Sequence, residues 1–153
     1  MIKKPIKRHE ALKPFSRDHH HGLLLCWKIR EGFKRNIEPQ RIKKYTDWFW
    51  ETHLAQHFQE EEKILFPLLP QESDKIKKAT AEHRRLKRLF ENTTEIVKSL
   101  NRIEEELESH IRFEERDLFN EIQKTATTEQ LQRIENLHKD NFCDNWVDEF
   151  WKN

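Results

Sequence analysis

Two segments of the chain share a pattern of histidine and glutamate that is suited to binding a metal ion. They read HFQEEEKILFPLL, from His57 to Leu69, and HIRFEERDLFNEI, from His110 to Ile122. In each, a glutamate follows the histidine by four residues, and Leu-Phe follows the glutamate by four and five. Residues four apart lie one above the other on a helix, so each histidine and glutamate would share one helix face. Imidazole nitrogen and carboxylate oxygen together are ligands of iron, manganese and zinc.

A single histidine on the preceding helical segment accompanies each pair, so the pattern forms a repeat. His83 has a leucine three residues later and a phenylalanine seven residues later. The triplet His19–His21 precedes the first pair, and its side chains point about 100° apart, so at most one faces directly inward. Within the triplet, only His20 has leucine and an aromatic residue at the spacings found after His83. We therefore predict that His20 faces inward, with His19 and His21 one residue out of register.

Six side chains result, in two similar halves of one buried site. The predicted ligands are His20, His57 and Glu61 in the first half and His83, His110 and Glu114 in the second. An uncompensated buried carboxylate costs several kcal/mol, against a typical domain stability of about 5–15 kcal/mol. No lysine or arginine occurs on the same apolar stripes. Two metal ions would compensate these charges, each with about two histidines, while bridging glutamates leave room for an external ligand.

Several polar residues near this pattern have simpler interpretations. A single His–Glu pair is common on exposed helices, and a lone inward histidine is usually a hydrogen-bonded core residue. His9 and His138 lie outside the repeat and are predicted to be structural or exposed. His53, one turn before His57, either packs, lines an access route or supplies a further ligand. Three flanking glutamates are interpreted as a solvated face, with a role behind the ligands as the alternative: Glu60, Glu62 and Glu115.

Composition predicts that helices position all of these residues. The 153-residue chain has only 2 glycines, is 37% charged and lacks strand-like runs of alternating β-branched residues. We predict an all-α fold, an up-down antiparallel four-helix bundle with an additional C-terminal helix. The predicted helices run from Pro14, capped by Ser16, to about Asn36; from Pro39 to near Phe66; from Ser73 to a break at Asn92–Thr94 or Ser99–Asn101; onward to about residue 123; and from a capping box at Thr127–Gln130 to Trp151.

The domain prediction is a flexible basic N-terminal arm, residues 1–13, and one helical bundle, residues 14–153. Its four-helix core covers about 14–123 and its C-terminal helix about 127–151. A net charge of +1 with interleaved signs argues against a nucleic-acid partner, and no stretch is long and apolar enough to cross a membrane. Two cysteines, Cys26 and Cys143, form no disulfide framework, which is typical of a reducing, cytoplasmic location.

Four segments in order resemble the motifs of the hemerythrin-like, or HHE cation-binding, family. They read SRDHHHGLLL, HFQEEEKILFPLL, EHRRLKRLF and SHIRFEERDLF, and the resemblance covers about residues 14–123. It implies a four-helix bundle that holds two iron ions, oxo- or hydroxo-bridged, on the six predicted ligands, with manganese or zinc as substitutes.

The chain departs from oxygen-carrying hemerythrins at two places. Those proteins have a second histidine one turn from the first on the third helix, where this chain has Ala79 and Lys87. They also have aspartate five residues after the fourth-helix histidine, where this chain has Glu115, with Glu114 at four. These departures argue against reversible oxygen carriage. They fit the broader bacterial-type group, which is implicated in sensing O2, NO or iron, in iron handling and in repair of iron centres.

Three functional hypotheses follow. The first is a di-iron protein that binds or senses O2 or NO, or handles iron, with no protein partner identified. The second is a di-iron enzyme of oxygen or peroxide reduction or of iron-centre repair; open coordination and the nearby His53 permit it, but no separate acid–base constellation supports it. The third is a metal-free interaction module that docks partners through Trp146, Phe150 and Trp151 of the C-terminal helix.

Overall fold

Five helices follow one another along residues 7–135, 137 and 142–152, which this computed structural model describes, and no strand occurs among those residues. Helix α1 spans Lys13–Lys34, α3 spans Asp74–Glu91, and α5 spans Thr128–Ile134. The second and fourth helices are α2, residues 39–65, and α4, residues 96–125. The predicted all-α bundle with an additional C-terminal helix is confirmed.

Both α2 and α4 contain turns of π-helix. Helix α2 is regular over Pro39–Phe49 and Ala55–Glu60, has π-helical turns at Trp50–Leu54 and Glu61–Leu65, and ends in a 3₁₀ turn at Phe66–Leu68. Helix α4 consists of Ile96–Phe113, a π-helical turn at Glu114–Leu118, and Phe119–Thr125. These turns were not predicted from the sequence.

The ends of the helices follow their capping residues. The Ser73 hydroxyl accepts a hydrogen bond from the Ile76 amide at 3.5 Å, as predicted for the start of α3. A reciprocal capping box between Thr127 and Gln130 opens α5. Ser16, in contrast, is not a cap, because α1 begins at Lys13. Pro14 lies in the first turn, where a backbone N–H has no intrahelical partner, so the lack of an N–H in proline costs no hydrogen bond.

Close packing of α1 against α4 depends on a glycine. A Cβ atom added to Gly22 would lie 2.8 Å from Cδ1 of Ile111, which is below van der Waals contact. The absence of a side chain at Gly22 therefore lets the two helices approach each other. Helix α4 also packs against α3, and α1 against α2, which completes the four-helix arrangement.

The apolar core consists of two clusters separated by a polar layer. The first cluster lies toward the C-terminal end of α1 and the start of α2, and includes Leu25, Ile29, Ile42, Tyr45, Phe90, Leu100 and Leu107. The second lies at the opposite end and includes Leu12, Phe15, Leu65, Leu118, Phe119 and Ile122. The predicted ligand positions on α2, α3 and α4 fall between the two clusters.

Both ends of the chain differ from the prediction. Ala11 and Leu12 are buried in the second cluster, so residues 7–12 pack on the bundle rather than forming a loose arm, and residues 1–6 lie outside the described part. Helix α5 ends at Ile134 instead of near Trp151. Residues 142–149 are not helical, although their aromatic residues recur at helical spacing.

Contacts with α2 account for the non-helical C-terminal segment. The Phe142 ring lies 6.1 Å from Phe49, and the Trp146 ring lies 5.8 Å from Tyr45. Phe150 and Trp151 are buried in the first cluster. Tertiary packing outweighs the weak helix propensity of so short a segment. The predicted docking surface of Trp146, Phe150 and Trp151 is therefore wrong, because these rings pack against the first apolar cluster. Among the described residues, no helix combines the length and apolarity that a membrane span requires.

Candidate metal centre

Six polar side chains form the layer between the two apolar clusters, and each is at most 4% exposed. They come from four helices and comprise His19 of α1, His57 and Glu61 of α2, His83 of α3, and His110 and Glu114 of α4. Burying so many titratable groups without compensation is costly, so their arrangement requires an explanation.

Each glutamate of the layer begins a π-helical turn. Glu61 opens the turn Glu61–Leu65, and Glu114 opens the turn Glu114–Leu118. Such turns are energetically unfavourable and are found frequently at functional sites. Their equivalent positions show that the repeat noted in the sequence extends to backbone geometry.

The first half of the layer brings together His19, His57 and both glutamates. Nε2 of His19 lies 2.9 Å from Oε1 of Glu114 and 3.3 Å from Oε2 of Glu61. Nε2 of His57 lies 3.1 Å from that same Glu61 oxygen. One ligand atom from each of these four residues lies within 4.8 Å of all the others.

The second half has the same composition and uses the same two glutamates. Nε2 of His83 lies 3.1 Å from Oε1 of Glu61 and 3.6 Å from Oε2 of Glu114. Nε2 of His110 lies 3.3 Å from Oε1 of Glu114. These four residues also offer ligand atoms within 4.8 Å of one another. Both carboxylates therefore belong to two candidate ion positions at once.

Each of the four histidines in the layer has its second ring nitrogen within hydrogen-bond distance of a carboxylate outside the layer. The four Nδ1 contacts, each 2.7–2.8 Å long, are His19 with Glu115, His57 with Asp18, His83 with Glu62, and His110 with Glu82. Hydrogen bonding at Nδ1 fixes the ring orientation and turns Nε2 toward the layer, which is the usual arrangement around metal-binding histidines.

Only some of these four outer carboxylates were considered on the basis of the sequence. Glu62 and Glu115 were interpreted first as a solvated face, with a role behind the ligands only as the alternative, and Asp18 and Glu82 were missed. A signal was present, because Asp18 and Glu82 each directly precede an inward histidine. Glu60, the third flanking glutamate, accepts a hydrogen bond from Gln56 on the helix exterior at 3.0 Å.

The protonation of the layer shows how the charges balance without an ion. Burial lowers the pKa of His57, but the carboxylates of Glu61 and Asp18 outweigh it and raise this pKa to about 9. Burial likewise opposes a charge on His19 and His83, yet the glutamate carboxylates close to their ring nitrogens hold both pKa values well above normal. These raised pKa values favour protonated imidazoles, whose positive charge would offset the buried carboxylates.

Hydrogen bonding within the layer is incomplete. Among the described residues, both carboxylate oxygens of Glu61, Oε2 of Glu114 and Nε2 of His83 and His110 make no hydrogen bond of acceptable geometry. Buried polar atoms are rarely left in this state. Imidazole nitrogens and carboxylate oxygens that converge on two points fit a pair of divalent or trivalent cations.

Five of the six predicted ligand residues lie in this layer, and His20 does not. His20 is exposed, on the same face of α1 as the partly exposed Leu24 and Trp27, and His19 takes the inward position. The prediction of His20 relied on the leucine and phenylalanine three and seven residues after His83. The positions at the same spacing after His19 are the small residues Gly22 and Cys26, so His19 did not match. Small residues occur there because α1 lies close against α4.

The remaining histidines lie outside the layer. His53 packs among aromatic rings, with its ring 4.3 Å from Phe142 and 5.2 Å from Trp48, and burial lowers its pKa. His21 stacks on Phe142 at 3.8 Å. Nδ1 of His9 accepts a hydrogen bond from the Ala11 amide at 3.0 Å. His138 lies outside the described residues.

Comparison with known families agrees with the chemistry of this layer. A sequence model described as Hemerythrin HHE cation binding domain matches residues 11–98, more than half of the chain. The match ends at the start of α4, so His110 and Glu114 lie beyond it and are joined to the other residues by the structure. No match was found among curated proteins or among solved structures.

Proposed function

The chain belongs to the hemerythrin HHE cation-binding family, and on that premise we propose that it binds two iron ions and uses them to bind or sense O2 or NO, or to handle iron. The observation that carries the proposal is the pair of four-residue groups that share Glu61 and Glu114. His19 and His57 would hold one ion, His83 and His110 the other.

The donor set supports iron over its competitors. Two imidazoles and two shared carboxylates per ion is a mixture typical of non-haem iron, whereas structural zinc sites favour thiolates or complete tetrahedral sets. Bound iron would supply redox activity and open coordination positions for a diatomic ligand. Manganese and zinc remain the alternatives that metal analysis distinguishes.

The protein residues would orient the ligands and exclude water. The outer carboxylates present Nε2 of every histidine to the layer. Phe119 stacks on His19 at 5.1 Å, and Phe58 stacks on His83 at 3.9 Å. These rings make the surroundings apolar, which favours uptake of a small uncharged ligand such as O2 or NO.

Metal analysis with optical spectra under argon, O2 and NO tests the proposal. We expect about two iron ions per chain and a spectrum that responds to at least one gas. The double variant His57→Ala/His110→Ala should lose the metal, while His20→Ala, at an exposed position, should retain it. Two ions that survive the double substitution would refute the assignment.

The same preparation distinguishes binding from catalysis. Reduced protein mixed with O2, NO or peroxide should form a stable adduct or be oxidised once. Sustained consumption of peroxide or O2 would instead identify the chain as an enzyme. Zinc or manganese at two per chain, with no iron after growth in iron-replete medium, would replace iron in the proposal.

A further inference from the structure

The two halves of the metal centre are closed in different ways, and we propose that Arg8 is a positioning residue that makes the His19/His57 position release its ion more slowly than the His83/His110 position. This inference rests on the proposed binding of two ions. It concerns residues 7–12, which lie outside the histidine–glutamate repeat.

Arg8 is held firmly against α4. Its Nη2 donates to the Glu115 carboxylate at 2.9 Å and to the Glu115 backbone carbonyl at 2.7 Å. Its Nη1 donates to Oε1 of Gln123 at 3.2 Å. Its side chain is only 11% exposed. A guanidinium fixed by three acceptors in a partly buried position has little freedom to move.

Glu115 connects Arg8 to the metal centre. One carboxylate oxygen, Oε2, accepts from Arg8, and the other, Oε1, lies 2.8 Å from Nδ1 of His19. A second route passes through Phe119, whose ring stacks on His19 and lies 5.6 Å from Cζ of Arg8. Arg8 thus fixes both groups that set the orientation of the His19 ring.

The backbone around Arg8 is anchored independently of this side chain. The His9 amide donates to Oε1 of Gln123 at 2.8 Å, and Nε2 of Gln123 donates to the Lys7 carbonyl at 3.1 Å. Leu12 is fully buried in the second apolar cluster. Replacing the Arg8 side chain should therefore leave the segment in place, so its effect on His19 is testable in a folded protein.

Within the described part of the chain, no arginine or lysine closes the second half in this way. The Glu62 side chain is 44% exposed, against 28% for Glu115. Among the described residues, neither Glu62 nor Glu82 pairs with a lysine or arginine. Glu62 and His83 also line a surface pocket of about 370 Å³, together with Phe58 and Gln59. Although Arg84 and Lys87 also line this pocket, neither forms an ion pair with Glu62, so we expect water and a chelator to enter more readily on the His83 side.

Release of ferrous iron to a chromogenic chelator under argon tests the inference. Protein loaded with two ions should lose them in two phases, each of about one ion. Substitutions of residues that orient metal ligands typically change metal binding by 10–100-fold, so Arg8→Ala should accelerate the slow phase by about tenfold or more and leave the fast phase unchanged. Glu62→Gln should accelerate only the fast phase.

Two further variants control for charge and for stability. Arg85→Ala removes a two-contact pair with Glu106, at 3.0 and 3.1 Å, on the exposed surface of α3 and α4, and should alter neither phase. Arg8→Lys retains the charge with fewer donors and should give an intermediate rate. Thermal unfolding of the metal-free variants shows whether Arg8→Ala affects the fold, and Arg8→Lys carries the test if it does.

The outcomes separate this inference from the proposed function. Protein that never holds two ions contradicts the proposed function itself. Two ions that leave in a single phase, or a slow phase that Arg8→Ala and Arg8→Lys leave unchanged, overturn the role of Arg8 while leaving two-ion binding intact.

Discussion

The two halves of the metal centre are alike where they face each other and different where they face solvent. His19 with His57 and His83 with His110 present the same atoms to the shared glutamates, and each ring is held by an outer carboxylate. Outside that layer, Arg8 pairs with Glu115 beside the first half, whereas a surface pocket borders His83 of the second. The repeat therefore accounts for the buried polar layer, whereas segments outside the repeat account for the difference in its surroundings.

The largest effect is expected from a substitution that removes a ligand from both halves at once. Glu114 contributes to both groups of ligands, so Glu114→Ala should abolish binding of both ions, whereas His110→Ala should remove chiefly the ion of the second half. Metal content per chain after gel filtration measures this difference. Retention of one full equivalent in Glu114→Ala would show that the glutamates are not shared.

Replacing one outer carboxylate at a time should show which half depends more on its outer carboxylate for metal affinity. Asp18→Asn and Glu82→Gln replace the charged acceptors at Nδ1 of His57 and His110. A loss of about 10–100-fold in affinity is expected, each confined to one half. We expect Asp18→Asn to have the larger effect, because Asp18 is 18% exposed and Glu82 is 31% exposed. Competition titrations with a chelator of known affinity test the order, and equal losses from both halves would contradict it.

The smallest expected difference between the halves is in their response to pH. Histidines of both halves have raised pKa values in the metal-free protein, to about 9 for His57 and above its usual value for His110. Below these values the rings are protonated, and a metal ion must displace the protons. Apparent affinity should therefore rise with pH, by about tenfold per unit for each proton displaced, and level off above the pKa.

Titration calorimetry in buffers of different ionisation enthalpy counts the protons released. Release of protons at pH 7 on binding of each ion is expected, in similar numbers for the two halves. Binding without proton release at pH 7 would show that the histidines are neutral in the metal-free protein.

Much of the fold followed from the sequence because its signals are local. Ser73 and the Thr127–Gln130 box determine helix starts by contacts within three residues, and Pro39 determines another by its missing N–H. The C-terminal segment was mispredicted because its conformation depends on distant contacts with α2. Helical spacing of aromatic residues does not reveal which surface will bury them.

The polar layer was likewise predictable where its signals are local. His57, Glu61, His83, His110 and Glu114 were correctly placed in the interior, because each falls at helical spacing within the apolar stripe of its helix. His19 was missed because its neighbours are small for a reason that lies on another helix, the close approach of Gly22 to Ile111. The pairing of Glu115 with Arg8 joins residues 107 positions apart, and no local pattern encodes such a contact.

The polar layer across the core also determines how the helices align along their axes. A shift of one helix by a single turn, about 5.4 Å, would move Glu61 or Glu114 from the layer into one of the apolar clusters. The cost of burying a carboxylate there would reject the shifted packing, although apolar side chains alone would tolerate it. We therefore expect the residues of this layer to favour a single alignment of the bundle, before any ion is bound.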